Sequence, residues 1–253
     1  MTLSVHNSQS ELTVTPEMIT AAGYESRVFT GQNGDTLPYR LLVGNADLPG
    51  KFSLMIFFHG AGSVGDDNFL QMRIPGLPFV RYVRKHHLKT VLLFPQCRKD
   101  CQWVDVPWNS LSHDLPETPS RHMLLAMELL RSAVAEFQPD RRKIYAGGIS
   151  MGGYGAWDIV CRMPETFSAI LAICGGADLK KAPGLRHLRV CDFHGAQDVT
   201  VPTSRSRDMM KALRESGCRQ ILYRELPDAA HNAWDAAFAD ETALDFIFRK
   251  TPC

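Results

Sequence analysis

The sequence predicts an α/β fold: a mostly parallel sheet with helices on both faces and an antiparallel hairpin near the N-terminus. Short apolar runs recur at 53–58 (SLMIFF), 90–94 (TVLLF), 143–147 (KIYAG), 169–174 (AILAIC), 189–193 (RVCDF) and 221–226 (ILYREL). Runs that are apolar at successive positions suit strands covered on both sides. Segments with apolar residues three and four apart fill the gaps between them, and regular alternation of strand and helix points to a parallel sheet.

The elements follow in order. Residues 1–24 read as an N-terminal extension and 25–253 as a single domain, because no repeat, low-complexity tract or Pro/Ser-rich linker divides the chain. ESRVFT and LPYRLLV flank GQNGD, whose Asn33-Gly34 is a strong turn signal, so a hairpin is expected there. A helix is expected over 119–137, with Thr118-Pro119 at its start and Met123, Met127, Leu130, Val134 and Phe137 along one face. Another runs from a cap-capable Thr203 to Gly217. The last is expected from about Ala233 to Lys250, with Trp234 packed beneath it.

Composition narrows the function. The chain has 253 residues, 45% hydrophobic and 22% charged, with 28 basic residues against 27 acidic and no long like-charge block. That balance gives no support to nucleic acid or an anionic membrane surface as partner. The longest apolar run, Ala169 to Cys174, is too short to span a bilayer, so no stable membrane insertion is expected. The opening MTLSVHNSQSELTVTPEM lacks the basic and apolar segments of a signal peptide, which reads as cytoplasmic. Seven cysteines include no CxxC; Cys161, Cys174 and Cys191 read as buried thiols. Cys97 and Cys101 leave a disulfide open but lack a second ligand pair, so no metal is expected.

The chemistry concentrates at AGGISMGGYGAW, residues 146–157. A strand leads into Gly148-Ile149-Ser150-Met151-Gly152, and a helix should follow from about Gly153. G-x-S-x-G between strand and helix is the nucleophile-elbow pattern, in which small neighbours permit a strained turn that exposes the serine hydroxyl. Gly148 and Gly152 supply that smallness, and the Met151 amide is aimed at a developing oxyanion. Asp198 lies one short loop beyond the run at 189–193, where an orienting carboxylate belongs; Asp192 inside the strand and Asp208 on a helix are poorer placed. His231, in PDAAHNAW, is the only histidine after Asp198 and completes the order Ser…Asp…His. The second oxyanion donor is expected after the run at 53–58, from the Ala61 amide, with Gly60 or Gly62 as alternatives. His59 and His194, each in an HG pair at a strand end, read as structural hydrogen-bonding groups.

The segments LPYRLLV, FFHGAGSVGDDN, FPQC…WVDVPW, GGISMGGYGAWD, FHGAQDVTVP and HNAWDAAFAD occur in this order. Across about residues 25 to 250 they resemble the α/β-hydrolases of the predicted-peptidase and phospholipase/carboxylesterase-like group, relatives of feruloyl-esterase-like and prolyl-oligopeptidase-like hydrolases. The resemblance implies the α/β-hydrolase fold and a cofactor-free serine hydrolase acting on carboxylic esters. Ser150 would be its nucleophile, Asp198 its acid and His231 its base.

Specificity rests on insertions, of which the largest spans 97–118. Its Trp103 and Trp108 are expected either to bind an acyl chain or aromatic acid, with Gly60 nearby, or to pack the loop on the body. No long apolar insertion reads as an interfacial lid, which favours short or aromatic small-molecule esters. A serine peptidase and a catalytically silent ligand-binding module of the same fold are the alternatives.

Overall fold

The computed structural model describes residues 14–248. Its strands are β1 (Glu25–Thr30), β2 (Thr36–Gly44), β3 (Ser53–Phe58), β4 (Thr90–Pro95), β5 (Ile144–Ile149), β6 (Ala169–Ile173), β7 (Arg189–Gly195) and β8 (Gln220–Leu226). They form one sheet in the order β1-β2-β4-β3-β5-β6-β7-β8. The pairs β1–β2 and β2–β4 are antiparallel, and every later neighbour is parallel. Each predicted strand is present, and the turn at Asn33-Gly34 joins β1 to β2.

The helices are α1 (Pro16–Ala21), α2 (Gly76–Lys85), α3 (Arg121–Phe137), α4 (Met151–Arg162), α5 (Ser204–Glu215), α6 (Ala233–Ala239) and α7 (Thr242–Phe248). β3 shows why both faces of the sheet need covering. Its Leu54, Ile56 and Phe58 join one core with α3, α4 and α5, while Met55 and Phe57 point to a second core with α1, α2, α6 and α7. All six residues of β3 are buried. Among the described residues no helix is long and apolar enough to cross a membrane.

Several boundaries differ from expectation. Helix α3 starts at Arg121, because Ser120 rather than Thr118 caps it: the Ser120 hydroxyl accepts from Met123 N–H at 3.1 Å and donates to the Trp103 carbonyl at 2.7 Å. Helix α4 starts at Met151, two residues earlier than expected. The single last helix is two helices, broken at Asp240, whose extended backbone (φ −124°, ψ 178°) cannot continue α6. The Asp240 carboxylate then accepts from Thr242 N–H at 2.8 Å, opening α7. The end of the predicted helix, 249–250, lies outside the described residues, as do residues 1–13 of the extension. Residues 14–24 include α1, whose Ile19 is buried in the core beside α2. Cys97 and Cys101 are separate free thiols, and Cys161 is half-buried.

Candidate active site

Strand β5 turns into α4 through one strained residue. Ser150 has φ 56° and ψ −120°, a conformation that a side chain adopts only when its surroundings impose it. The imposition comes from backbone crowding. A Cβ at Gly148 would sit 2.0 Å from the Gly152 carbonyl oxygen, and one at Gly152 would sit 2.1 Å from that of Phe58. Ser150 N–H donates to the Ile173 carbonyl at 2.7 Å, which ties the turn to the end of β6.

His231 and Asp198 arrive from the loops after β8 and β7. The Ser150 Oγ lies 2.7 Å from His231 Nε2, and His231 Nδ1 lies 2.6 Å from Asp198 Oδ2. An ionised carboxylate only accepts, so Nδ1 carries the hydrogen and Nε2 is left to accept from the serine hydroxyl. The other carboxylate oxygen, Oδ1, accepts from the N–H groups of Thr200 and Val201 at 2.9 Å each. Burial would raise the Asp198 pKa, but hydrogen bonds from His194, His231 and Val201 N–H hold it well below the usual carboxylate range. Neither Asp192, fully buried within β7, nor Asp208 on α5 is hydrogen-bonded to His231 among the described residues.

The two expected oxyanion donors flank the serine. Met151 is the first residue of α4 and Ala61 the first of a 3₁₀ turn (Ala61–Ser63), so neither N–H has an acceptor within its own helix. The loop crosses directly over the elbow: a Cβ on Gly60 would lie 3.4 Å from both the Ile149 carbonyl oxygen and Ser150 Cβ. His59 holds that loop. Its Nδ1 donates to the Gly60 carbonyl at 2.7 Å and its Nε2 accepts from Cys97 N–H at 2.9 Å. Burial lowers its pKa to about 4, so the ring is neutral, as this bonding requires.

Ser150, His231 and Gly60 open onto a cleft of about 940 Å³. Trp108, Trp234, Phe238, Ile74 and Pro78 give it apolar walls, with Arg73 and Asp235 among its charged residues. Ala61 and Trp108 also border a smaller adjoining pocket of about 300 Å³, which Met151 reaches. Of the two tryptophans in the 97–118 insertion, only Trp108 lines the cleft. Trp103 is 0% exposed, donates its indole N–H to the His59 carbonyl at 3.1 Å and packs edge-on against Phe58. It supports the loop after β3 from behind. Trp234, expected beneath the last helix, instead stands in the cleft wall with its ring 5.6 Å from that of His231 at 87°. Its nearness to His231 in sequence was the available signal, because α6 begins two residues after the histidine.

Two side-chain clusters have donor types that suit metals. Cys174, His194 and Asp198 offer atoms within 4.8 Å of one another, as do His86, Glu241 and Asp245. In both, the polar atoms already serve protein hydrogen bonds: Asp198 with His231, His86 with Glu241 at 2.8 Å, and Asp245 with the Tyr82 hydroxyl at 2.7 Å.

Comparisons with known proteins agree with this architecture. The phospholipase/carboxylesterase family model matches residues 48–247. A thermostable esterase superposes with a TM-score of 0.80 at 28% identity, covering 89% of this chain and 62% of that one. The chain therefore spans just under two thirds of that esterase. A ferulic acid esterase superposes at 0.66 with 17% identity (89% and 97% covered), and an S-formylglutathione hydrolase from Staphylococcus aureus at 0.61 with 15% identity (88% and 98%). At such identities these last two speak for the α/β-hydrolase fold alone. A search of curated protein sequences gave no match. The chain has the α/β-hydrolase fold and belongs to the phospholipase/carboxylesterase family.

Proposed function

We propose that the protein is a serine carboxylesterase that hydrolyses small or aromatic carboxylic esters through an acyl-enzyme on Ser150. The observation that carries this reading is the hydrogen-bonded line from Ser150 through His231 to Asp198 beside an apolar-walled cleft. His231 Nε2 takes the hydroxyl proton as Ser150 Oγ attacks the ester carbonyl, and Asp198 fixes the imidazole tautomer and steadies the imidazolium. The Met151 and Ala61 amides donate to the oxyanion; one such donor typically contributes about 3–4 kcal/mol to transition-state stabilisation. The tetrahedral intermediate collapses, the carbon–oxygen bond to the alcohol breaks, and His231 gives its proton to the leaving oxygen. Water then attacks the acyl-enzyme, with His231 as base, and releases the acid while Ser150 regains its proton.

The chemistry of the walls supports a small or aryl ester. Trp108, Trp234 and Phe238 present flat apolar faces. A ferulic acid esterase shares the fold, which makes methyl ferulate a natural member of a substrate panel beside p-nitrophenyl esters of increasing chain length. The discriminating comparison pairs a short-chain aryl ester with its anilide. An amide has a poorer leaving group and needs an extended peptide held in register. We expect kcat/KM for the ester to exceed that for the anilide by at least about a thousandfold, roughly 4 kcal/mol in barrier. Comparable rates would favour a serine peptidase. A folded protein that turns over neither would favour a non-catalytic ligand-binding module.

A further inference from the structure

Behind the proposed catalytic carboxylate lies a second acid–imidazole set that the reaction above does not use. Asp192 and His194 are two residues apart on β7, and both are 0% exposed; Ser206 of α5 is 1% exposed. His194 Nδ1 lies 2.7 Å from the Ser206 hydroxyl. Its Nε2 lies 3.0 Å from the Val201 carbonyl and 3.3 Å from Asp198 Oδ2, the same oxygen that receives His231. Two acceptors face Nε2, so that nitrogen carries a hydrogen in every protonation state, and only Nδ1 is free to titrate.

Asp192 is the odd member. Neither of its carboxylate oxygens has a hydrogen-bond partner, although the residue is wholly buried. A bare buried carboxylate is costly unless it keeps a proton or faces a cation. Burial pushes its pKa up to about 6, with the charge of His194 pulling the other way. Burial opposes charge on His194 too, yet Asp198, Asp192 and the Val201 carbonyl together raise its pKa above the ordinary imidazole value. The other ionisable neighbours are settled. The Cys174 thiol at the end of β6 is pushed up to about 12 by burial. Glu225 on β8 is paired with Arg207 of α5 and accepts from the Tyr223 hydroxyl at 2.8 Å. Asp192 and His194 lie two residues apart on one face of β7, so the charge of each bears on the other.

We propose that Asp192, Ser206 and His194 act as positioning residues that share Asp198 with His231 and set the pH at which the catalytic histidine becomes a free base. This rests on the role assigned above to His231. When His194 is protonated, its imidazolium lies against Asp198 and offsets part of the charge of that carboxylate. The hold of Asp198 on protonated His231 is weakened, and His231 stays a free base to lower pH. Removing the charge of Asp192 takes away one of the groups that favour the charged form of His194, so its imidazolium is less populated. The loss of the nearer positive charge outweighs the loss of the more distant negative one, so the full charge of Asp198 then falls on His231.

The test is the pH profile of kcat/KM for an aryl ester. Asp192→Asn should move its acid limb upward by roughly half a pH unit, the scale of shift set by one nearby charge in protein. Ser206→Ala, which removes the hydrogen bond at His194 Nδ1 but keeps both charges, should move it the same way by less. Acid limbs unchanged in both folded variants would mean a purely structural role and overturn the proposal. Should either variant fail to fold, ¹⁵N spectra of the histidine-labelled wild type decide the matter without any substrate. They should show His194 Nε2 protonated throughout and Nδ1 titrating, with a matching inflection at His231. A His194 that stays neutral from pH 5 to 9 would sink the proposal while leaving the esterase reading intact.

Discussion

Asp198→Asn isolates one oxygen atom. In the wild type the two carboxylate oxygens have separate duties: Oδ1 accepts from Thr200 and Val201 N–H, and Oδ2 accepts from His231 Nδ1 at 2.6 Å and faces His194 Nε2 at 3.3 Å. An asparagine has one acceptor and one donor end. Two backbone donors hold the Oδ1 position, so the amide oxygen takes that place and the NH₂ group faces His231. Donor then meets donor, unless His231 moves its hydrogen to Nε2. In that tautomer Nε2 points a hydrogen at Ser150 and cannot accept the hydroxyl proton. The fold is retained, because asparagine matches aspartate in size and keeps the backbone contacts. A wrong tautomer in a triad of this kind costs about 10⁴ in rate, or roughly 5 kcal/mol of barrier. The assay is kcat/KM on p-nitrophenyl acetate at pH 8, with thermal melting to establish folding. A folded Asp198→Asn protein within tenfold of wild type would refute the reasoning, decisively so if Asp192→Asn were inactive at the same pH.

Gly152→Ala places a methyl group 2.1 Å from the Phe58 carbonyl oxygen. Overpacking against backbone should cost about 3 kcal/mol or more, read as a fall in melting temperature or loss of soluble protein; an alanine variant as stable as wild type would show that the elbow is not held by this contact. The two tryptophans of the 97–118 insertion should separate stability from binding. Trp103→Ala should destabilise by about 3–5 kcal/mol, as expected for a fully buried ring. Trp108→Ala should mainly raise KM for aryl esters, roughly fivefold for one aromatic contact of about 1 kcal/mol; the reverse pattern would exchange their roles.

Much of this protein was legible from residue order because its strongest signals are local. The apolar runs of β3 to β7 are buried on both faces and have no polar register to confuse. The elbow glycines sit within two residues of Ser150, where a tight turn demands them. Asp198 and His231 follow from chain order once a strand precedes each. What escaped depends on long-range packing. The break at Asp240 hides inside a sequence with continuous helical spacing; the extended backbone of Asp240 ends α6, and its carboxylate caps α7 at Thr242. Helix α2 is masked by Pro75 and Pro78, although Phe79, Val80, Tyr82 and Val83 recur at helical spacing and are buried. Trp234 reads as core by spacing, yet a helix of seven residues starting beside His231 places its first turn in the cleft wall. The His194–Asp198 contact joins two residues both read as single-purpose, and nothing in their spacing signals a shared oxygen.

The central claim is that Ser150 is the nucleophile, and covalent labelling addresses it directly. Wild-type protein would be treated with a fluorophosphonate, digested and read by tandem mass spectrometry, beside Ser150→Ala. Ser150 Oγ lies 2.7 Å from His231 Nε2, and no other serine among the described residues is hydrogen-bonded to His231. The account predicts a single phosphonyl adduct on Ser150, loss of esterase turnover in step with labelling, and neither label nor turnover in the folded Ser150→Ala protein. An adduct on a different serine, or ester turnover that survives in Ser150→Ala, would contradict it.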